Sequence, residues 1–175
     1  LIVDKTGTLT EGKPAVTDIV PGESISKQDL LQIAASLEQG SEHPLARAVL
    51  DSAQKMEVPL QPIHDFSAIT GSGITARINS TQYLLGSPKF LSQNDVTLDE
   101  QQIAALQAEG KTVIAVALIS DSTPKVLGYL AIADRLRDTS LQAIERLQSM
   151  GIEVVMLTGD NAVTAAAIAK RTGIT

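Results

Sequence analysis

Three aspartates follow runs of apolar residues, and this placement indicates chemistry on a phosphate. Asp4 ends the segment LIVD, Asp134 ends VLGYLAIAD, and Asp160 comes shortly after IEVVML. Short apolar runs are typical of buried strands, and the carboxyl ends of parallel strands line one crevice where ligands bind. Three carboxylates in one crevice repel each other unless a divalent cation or a phosphate takes part. We therefore expect the three aspartates to share a site.

Small polar residues accompany two of these aspartates. They follow Asp4 or precede Asp160: Thr6, Gly7, Thr8, Thr158 and Gly159. Hydroxyls and closely approaching backbone N–H groups suit phosphoryl oxygens, and oxygen ligands without cysteine suit Mg²⁺. A carboxylate that faces a magnesium-bound phosphate can act as the nucleophile and form an aspartyl phosphate. These residues therefore favour phosphoryl transfer at Asp4.

The composition excludes several other classes of protein. The 175 residues are 43% hydrophobic and carry a formal net charge of −6, which argues against nucleic acid as a partner. There is no cysteine, so disulfides and thiolate metal sites are excluded. No signal peptide is visible, and no apolar stretch reaches the ~18 residues of a membrane helix. We expect a soluble region.

The order of apolar segments predicts an α/β fold in two parts. Strand and helix patterns alternate from Val126 to Gly173, which is typical of a parallel sheet covered by helices, and LIVD has the same strand character. The intervening segments predict helices and short antiparallel strands. We therefore predict a Rossmann-type phosphorylation domain, residues 1–13 and 127–175, interrupted by an α+β domain at 14–126 with an antiparallel sheet.

Helix ends in the insert are marked by capping residues. Ser26 and Asp29 predict the start of one helix, which Gly40 ends. Pro44 predicts the first turn of a second helix, because its missing N–H costs nothing there. Thr97 and Glu100 predict the start of a third.

Several segments resemble one family, the P-type ATPases. DKTGTLT, from Asp4 to Thr10, is identified as their phosphorylation motif, and TGDN, from Thr158 to Asn161, resembles their second phosphate-site motif. DRLR, from Asp134 to Arg137, resembles the segment between the two. SEHPLA from Ser41 and the pair Gly71 and Gly73 resemble the nucleotide site of the heavy-metal branch. The resemblance covers the whole chain and is closest to bacterial copper(I)-exporting ATPases. It implies a haloacid-dehalogenase-like fold for the phosphorylation domain.

The resemblance implies a role for each residue around Asp4. ATP would phosphorylate Asp4, and Mg²⁺ would be held by the Asp4 carboxylate and the Thr6 backbone carbonyl. Lys5, Thr158 and Asp160 would clamp the phosphate charge. Related phosphatases have an acid–base aspartate where this chain has Thr6. Threonine cannot exchange a proton usefully near neutral pH, so the aspartyl phosphate should persist, as a pump requires.

The resemblance also implies an adenine site in the insert. It would be formed by Glu38, Glu42, His43, Gly71 and Gly73. The imidazole can stack on or hydrogen-bond adenine, and a carboxylate can accept from its exocyclic amine. Gly86 stands where the family often has the glycine of a Gly-Asn pair. His64 has no motif around it and is interpreted as structural.

The resemblance further implies a setting and partners. The chain would belong to the cytoplasmic face of a bacterial inner membrane, with ATP or ADP, an actuator domain, membrane helices and a copper-delivery domain as partners. The family's GDGxxND segment, which holds another magnesium-binding Asp, would follow Thr175, so the phosphorylation domain would be incomplete. Two alternatives stay open at this point: a phosphatase of the same superfamily, and a nucleotide-binding module without catalysis.

Overall fold

The chain forms two separate sheets in a computed structural model that describes residues 1–69, 71–120 and 124–174. The smaller sheet is parallel and pairs β1 (Ile2–Asp4) with β8 (Val155–Leu157), so that Asp4 lies opposite Leu157. The larger sheet is antiparallel, in the strand order β2-β7-β6-β5-β4-β3. Its strands are β2 (Thr10–Pro21), β3 (Ile63–Ile69), β4 (Gly73–Ile78), β5 (Thr81–Gly86), β6 (Thr112–Ile119) and β7 (Lys125–Leu136). The predicted combination of a parallel and an antiparallel sheet is present.

One strand prediction is wrong. The segment VLGYLAIAD was expected to be a parallel strand, but it belongs to β7, which pairs antiparallel with both β2 and β6. An apolar run buried on both faces reads the same in either kind of sheet, because only the partner strands differ. The predicted domain boundary at 126/127 therefore falls within β7, after the second residue of that strand.

Helices connect and cover the two sheets. They are α1 (Lys27–Glu38), α2 (Pro44–Lys55), α3 (Pro88–Ser92), α4 (Glu100–Ala108), α5 (Ser140–Ser149) and α6 (Ala162–Thr172). The predicted start of α1 is confirmed, because the Ser26 hydroxyl accepts the Asp29 N–H at 3.0 Å. The predicted cap of α4 is wrong: Asp99, and not Thr97, accepts the Gln102 N–H, at 3.0 Å. A carboxylate next to the first turn satisfies an orphan amide and also favours the positive end of the helix dipole.

The hydrophobic core lies on both faces of the antiparallel sheet. On one face, α1 buries Leu30, Leu31 and Leu37 completely, at helical spacing, against the strands. On the other face, Phe90 and Leu91 of α3 pack with Ile103 and Leu106 of α4. A smaller cluster centred on Leu9, Ile144, Val154 and Ile174 lies beside the parallel sheet. Among the described residues, none of the helices combines the length and the apolar character needed to cross a membrane.

A pair of glycines lets α3 pack closely on the sheet. Gly73 and Gly86 lie directly opposite each other on β4 and β5. A methyl group at Gly73 would collide with the Phe90 ring and lie 2.5 Å from the Leu85 carbonyl oxygen. A methyl group at Gly86 would lie 2.8 Å from the same ring. Both positions therefore require glycine for packing alone.

The position of β7 predicts which part of the chain folds independently. Residues 14–126 lack β7, so that segment should remain unfolded, since β2 would lose its pairing partner and the core would lose Leu130 and Ile132. Residues 10–136 keep all six strands and should unfold cooperatively. Circular dichroism and urea titration of the two segments test this. Cooperative unfolding of residues 14–126 would show that β7 is dispensable.

Candidate active site

The loop after β1 is a tight turn of five residues, Lys5–Leu9, which leads straight into β2. Gly7 has φ +78°, a conformation that favours glycine, and its N–H donates to the Thr10 hydroxyl oxygen at 3.2 Å. Asp4 stands at the start of this turn and is exposed, as are Thr6 and Thr8. The carboxylate of Asp4 is thus presented to solvent at the carboxyl end of a parallel strand, where such folds bind ligands.

Asp160 ties the TGDN segment to this loop. Its Oδ2 atom accepts the Lys5 ammonium at 2.5 Å and the Thr158 hydroxyl at 3.0 Å. The two charged side chains are only 15% and 11% exposed. Oδ1 accepts the hydroxyl of Thr112, the first residue of β6, at 3.2 Å. The structure therefore brings three of the expected residues, Lys5, Thr158 and Asp160, into direct contact beside Asp4, and adds Thr112 to them.

Asp134 has a different place from the one expected. It does not end a parallel strand but lies within β7, where its carboxylate accepts the Thr10 hydroxyl at 2.6 Å and the N–H groups of Gly12 and Lys13, both at 3.0 Å. These bonds satisfy the backbone where the β2–β7 register shifts between Thr10 and Pro14. The expectation that Asp134 ends a parallel strand in the shared crevice is therefore wrong. Its carboxylate instead stabilises the start of β2, directly after the loop.

Arg137 holds the carbonyl groups of the same loop. Its Nε donates to the Thr10 carbonyl at 2.9 Å and its Nη2 to the Gly7 carbonyl at 3.0 Å. The Ser140 hydroxyl donates to the Leu9 carbonyl at 2.7 Å. The segment DRLR, singled out in the sequence, thus fixes the backbone of the residues that follow Asp4.

Glu38 and His43 flank the turn between α1 and α2. Glu38 is 4% exposed, and burial raises the pKa of its carboxyl group, an effect that a hydrogen bond from Ser41 opposes. His43 is exposed and caps α2: its Nδ1 accepts the Leu45 N–H at 3.2 Å. An accepting Nδ1 carries no proton, so the neutral ring has its N–H at Nε2. The ring is held in one orientation, and Nε2 has no hydrogen-bond acceptor among the described residues.

The other residues expected at an adenine site have varied surroundings. Glu42 is exposed, and Gly71 borders open space, with no atom within 4 Å of an added methyl group. Gly73 and Gly86 are required for the packing of Phe90, as described above. His64 lies exposed on the edge strand β3. Glycine at two of these positions therefore has a structural reason that is independent of any ligand.

Sequence reasoning missed two polar residues of these sites. Thr112 was interpreted only as the start of an apolar strand, and no nearby residue signals its contact with Asp160, 48 positions later. Ser41 stands inside the segment SEHPLA, but its hydrogen bond to the Glu38 carboxylate depends on the turn after α1. A serine three residues after a glutamate that ends a helix is the only signal available for it.

Comparison with known proteins shows which family the chain belongs to. The family model of the haloacid dehalogenase-like hydrolases matches residues 1–175. The chain is 42% identical over 176 residues to a probable copper-importing P-type ATPase A of Enterococcus hirae, covering 99% of this chain and 23% of that protein. It is 40% identical over 176 residues to a copper-exporting P-type ATPase of Bacillus subtilis, covering 99% of this chain and 21% of that protein. The chain thus spans less than a quarter of the length of these relatives.

A solved structure agrees with the sequence comparison. The crystal structure of a zinc-transporting PIB-type ATPase in the E2.Pi state superposes with a TM-score of 0.73 at 40% identity, covering 99% of this chain and 28% of that one. The expected resemblance to heavy-metal P-type ATPases is thereby confirmed in sequence and in fold along the whole chain. The chain belongs to the haloacid dehalogenase-like hydrolases.

Proposed function

We propose that the chain is the ATP-binding and phosphorylation region of a heavy-metal cation pump, most consistent with Cu(I), in which ATP phosphorylates Asp4. One observation carries the proposal: Asp4 is exposed at the end of β1, and the neighbouring Lys5 is held by Asp160 of the second phosphate-site segment. The names of the relatives support copper, because proteins described as copper-importing and copper-exporting share about 40% of this sequence.

The chemistry proposed for Asp4 is an in-line displacement. A carboxylate oxygen of Asp4 forms a bond to the γ-phosphorus, the bond from that phosphorus to the β,γ-bridging oxygen breaks, and ADP leaves with the electron pair. Lys5 would offset charge on the transferring phosphoryl group, since it follows Asp4 in the chain and its ammonium is oriented by Asp160. Thr158 adds a hydroxyl at the same place.

The residues present fit Mg²⁺ as the accompanying ion. An exposed carboxylate and a backbone carbonyl are hard oxygen donors, and Mg²⁺ commonly takes one or two carboxylates and completes its shell with water and phosphate oxygens. Asp4 and the Thr6 carbonyl would supply the protein ligands. When bound, the ion neutralises phosphate charge.

The turn between α1 and α2 is proposed to bind adenine. The Nε2–H of His43 has no acceptor in the part of the chain that the structure describes, and Nδ1 is occupied by the helix cap, so that the ring needs little reorganisation to meet a base. The Glu38 carboxylate would accept from the exocyclic amine, with Glu42 at the exposed rim and Gly71 leaving open space beside the base. The adenine contacts then lie on segments beside the antiparallel sheet, whereas Asp4 ends a strand of the parallel sheet.

Thr6 favours a pump over a phosphatase. Its side chain cannot act as a general base, so hydrolysis of the aspartyl phosphate would wait for another part of the protein. We propose that this part is an actuator domain, and that the other partners are membrane helices and a copper-delivery domain. The region would then lie on the cytoplasmic face of a bacterial inner membrane.

The proposed role of Asp4 predicts that one substitution abolishes phosphorylation without affecting ATP binding. In the full-length protein, Asp4→Asn should abolish formation of the phosphoenzyme and change the Kd for ATP by less than about twofold, because the adenine contacts lie elsewhere. Incorporation of ³²P from ATP, with its lability to hydroxylamine, measures the first activity, and equilibrium titration measures the second. Asp138→Asn is the matched control, because that side chain is 88% exposed and pairs only with Arg135 among the described ion pairs. Hydroxylamine-labile label on the Asp4→Asn protein would contradict the proposal.

The proposed adenine site predicts different effects on ATP binding for substitutions of His43 and His64. His43→Asn should weaken ATP binding about tenfold, because the ring is lost, while leaving the cap of α2 intact, because asparagine also caps helices well. His64→Asn should change the Kd little, since that exposed residue lies on an edge strand. NMR titration of the 175-residue chain with ATP measures both, and thermal unfolding checks the cap. The reverse ranking of the two variants would show that adenine binds elsewhere.

A further inference from the structure

We infer that Thr112, a residue of the antiparallel sheet, is a positioning residue for phosphoryl transfer: it fixes the Asp160 carboxylate, and through Asp160 it fixes Lys5. This inference rests on the proposed function of Asp4. It identifies a residue outside the loop after β1 and outside the TGDN segment, at the first position of β6.

The hydrogen bonds of Asp160 define what Thr112 does. Oδ2 already accepts from Lys5 at 2.5 Å and from Thr158 at 3.0 Å, while Oδ1 accepts the Thr112 hydroxyl at 3.2 Å. A carboxylate held on one oxygen only can rotate about its bond to Cβ, and holding the second oxygen removes that freedom. Because the Lys5 ammonium pairs with Oδ2, the hydroxyl of Thr112 fixes, through Asp160, the position of the positive charge on the residue that follows Asp4.

The backbone before Thr112 is itself anchored to α6. The Lys111 carbonyl accepts the hydroxyl of Thr164, a fully buried side chain, at 3.0 Å. Gly110 lies so close to Ile168 that an added methyl group would be 2.7 Å from its Cδ1 atom. The turn before β6 is therefore fitted against the helix that follows the TGDN segment, and Thr112 has little freedom to leave Asp160.

Ion pairs of Lys111 also stabilise the turn before β6. The Lys111 ammonium pairs with Asp18 of β2 at 2.7 Å and with Glu109 at 2.5 Å, and it is only 16% exposed. The hydrogen bond to Asp18 raises the pKa of Lys111 and lowers the pKa of Asp18, so both stay charged near neutral pH. These contacts extend the support of Thr112 to β2. A movement of the antiparallel sheet relative to α6 would withdraw the hydroxyl from Asp160.

The test compares three variants of the full-length protein. Thr112→Val keeps the shape and removes the hydroxyl; it should slow phosphoenzyme formation about tenfold at saturating ATP while the Kd for ATP stays within about twofold. Thr112→Ser should restore most of the rate, because it restores the hydroxyl. Thr81→Val is the matched control: Thr81 also opens a strand of this sheet, and among the described residues it is not a donor to Asp160. Thr112→Ala replaces the valine variant if that does not fold.

Two results would overturn the inference. One is a rate for Thr112→Val that equals the rate of the unmodified protein. The other is a serine variant as slow as the valine variant. A second measurement does not depend on phosphorylation: in the 175-residue chain, Thr112→Val should speed exchange of the Lys5 ammonium protons with water, measured by ¹⁵N-resolved NMR, and Thr112→Ser should not. If the exchange rate of the Lys5 ammonium protons is unchanged in the valine variant, Thr112 does not position Lys5, and the inference is refuted. If the unmodified protein incorporates no ³²P while exchange is faster in the valine variant, only the proposed function is refuted.

Discussion

The chain passes from the parallel sheet to the antiparallel sheet in a single loop of five residues, and this constraint shapes the active site. Asp4 ends one sheet, and Thr10 begins the other. Two carbonyl groups of this short connection are satisfied from outside, because the Arg137 side chain donates to the Gly7 carbonyl and the Ser140 hydroxyl donates to the Leu9 carbonyl. The Asp134 carboxylate accepts the Thr10 hydroxyl where β2 begins. The segment that would receive phosphate is thus also the segment that sets the spacing of the two sheets.

That double role links chemistry to conformation. A rotation of the antiparallel sheet relative to β1 and β8 would be absorbed within the loop, next to Asp4, and would change the bonds that Arg137 makes to Gly7 and Thr10. The same movement would reach Asp160 through its hydrogen bond with Thr112. If Asp4 is phosphorylated as proposed, the reaction would respond directly to the arrangement of the two sheets, without a separate relay between them.

Local sequence signals predicted much of this structure, and long-range pairing explains what they missed. Capping at Ser26 and the proline at Pro44 are local effects, and the helices begin where these residues indicate. The parallel assignment of β7 failed because an apolar run does not name its partners. The loop of DKTGTLT and the TGDN segment were found by resemblance, whereas the Thr112–Asp160 bond crosses 48 residues and leaves no periodic trace. Asp134 was placed in the wrong sheet, since an aspartate after apolar residues suits a bulge as well as a strand end.

The glycine pair on β4 and β5 restricts how this sequence can evolve. Gly73, Gly86 and the ring of Phe90 fill one small volume, and an added methyl group would also meet the backbone: it would lie 2.5 Å from the Leu85 carbonyl oxygen at Gly73 and 2.5 Å from the Ser72 carbonyl oxygen at Gly86. A smaller residue at position 90 would relieve only the clash with the ring, so both glycines should be kept among related chains whatever ligand these chains bind. An alignment would show these glycines as invariant for reasons of space, and invariance at Gly73 or Gly86 could then not be taken as the mark of a nucleotide contact.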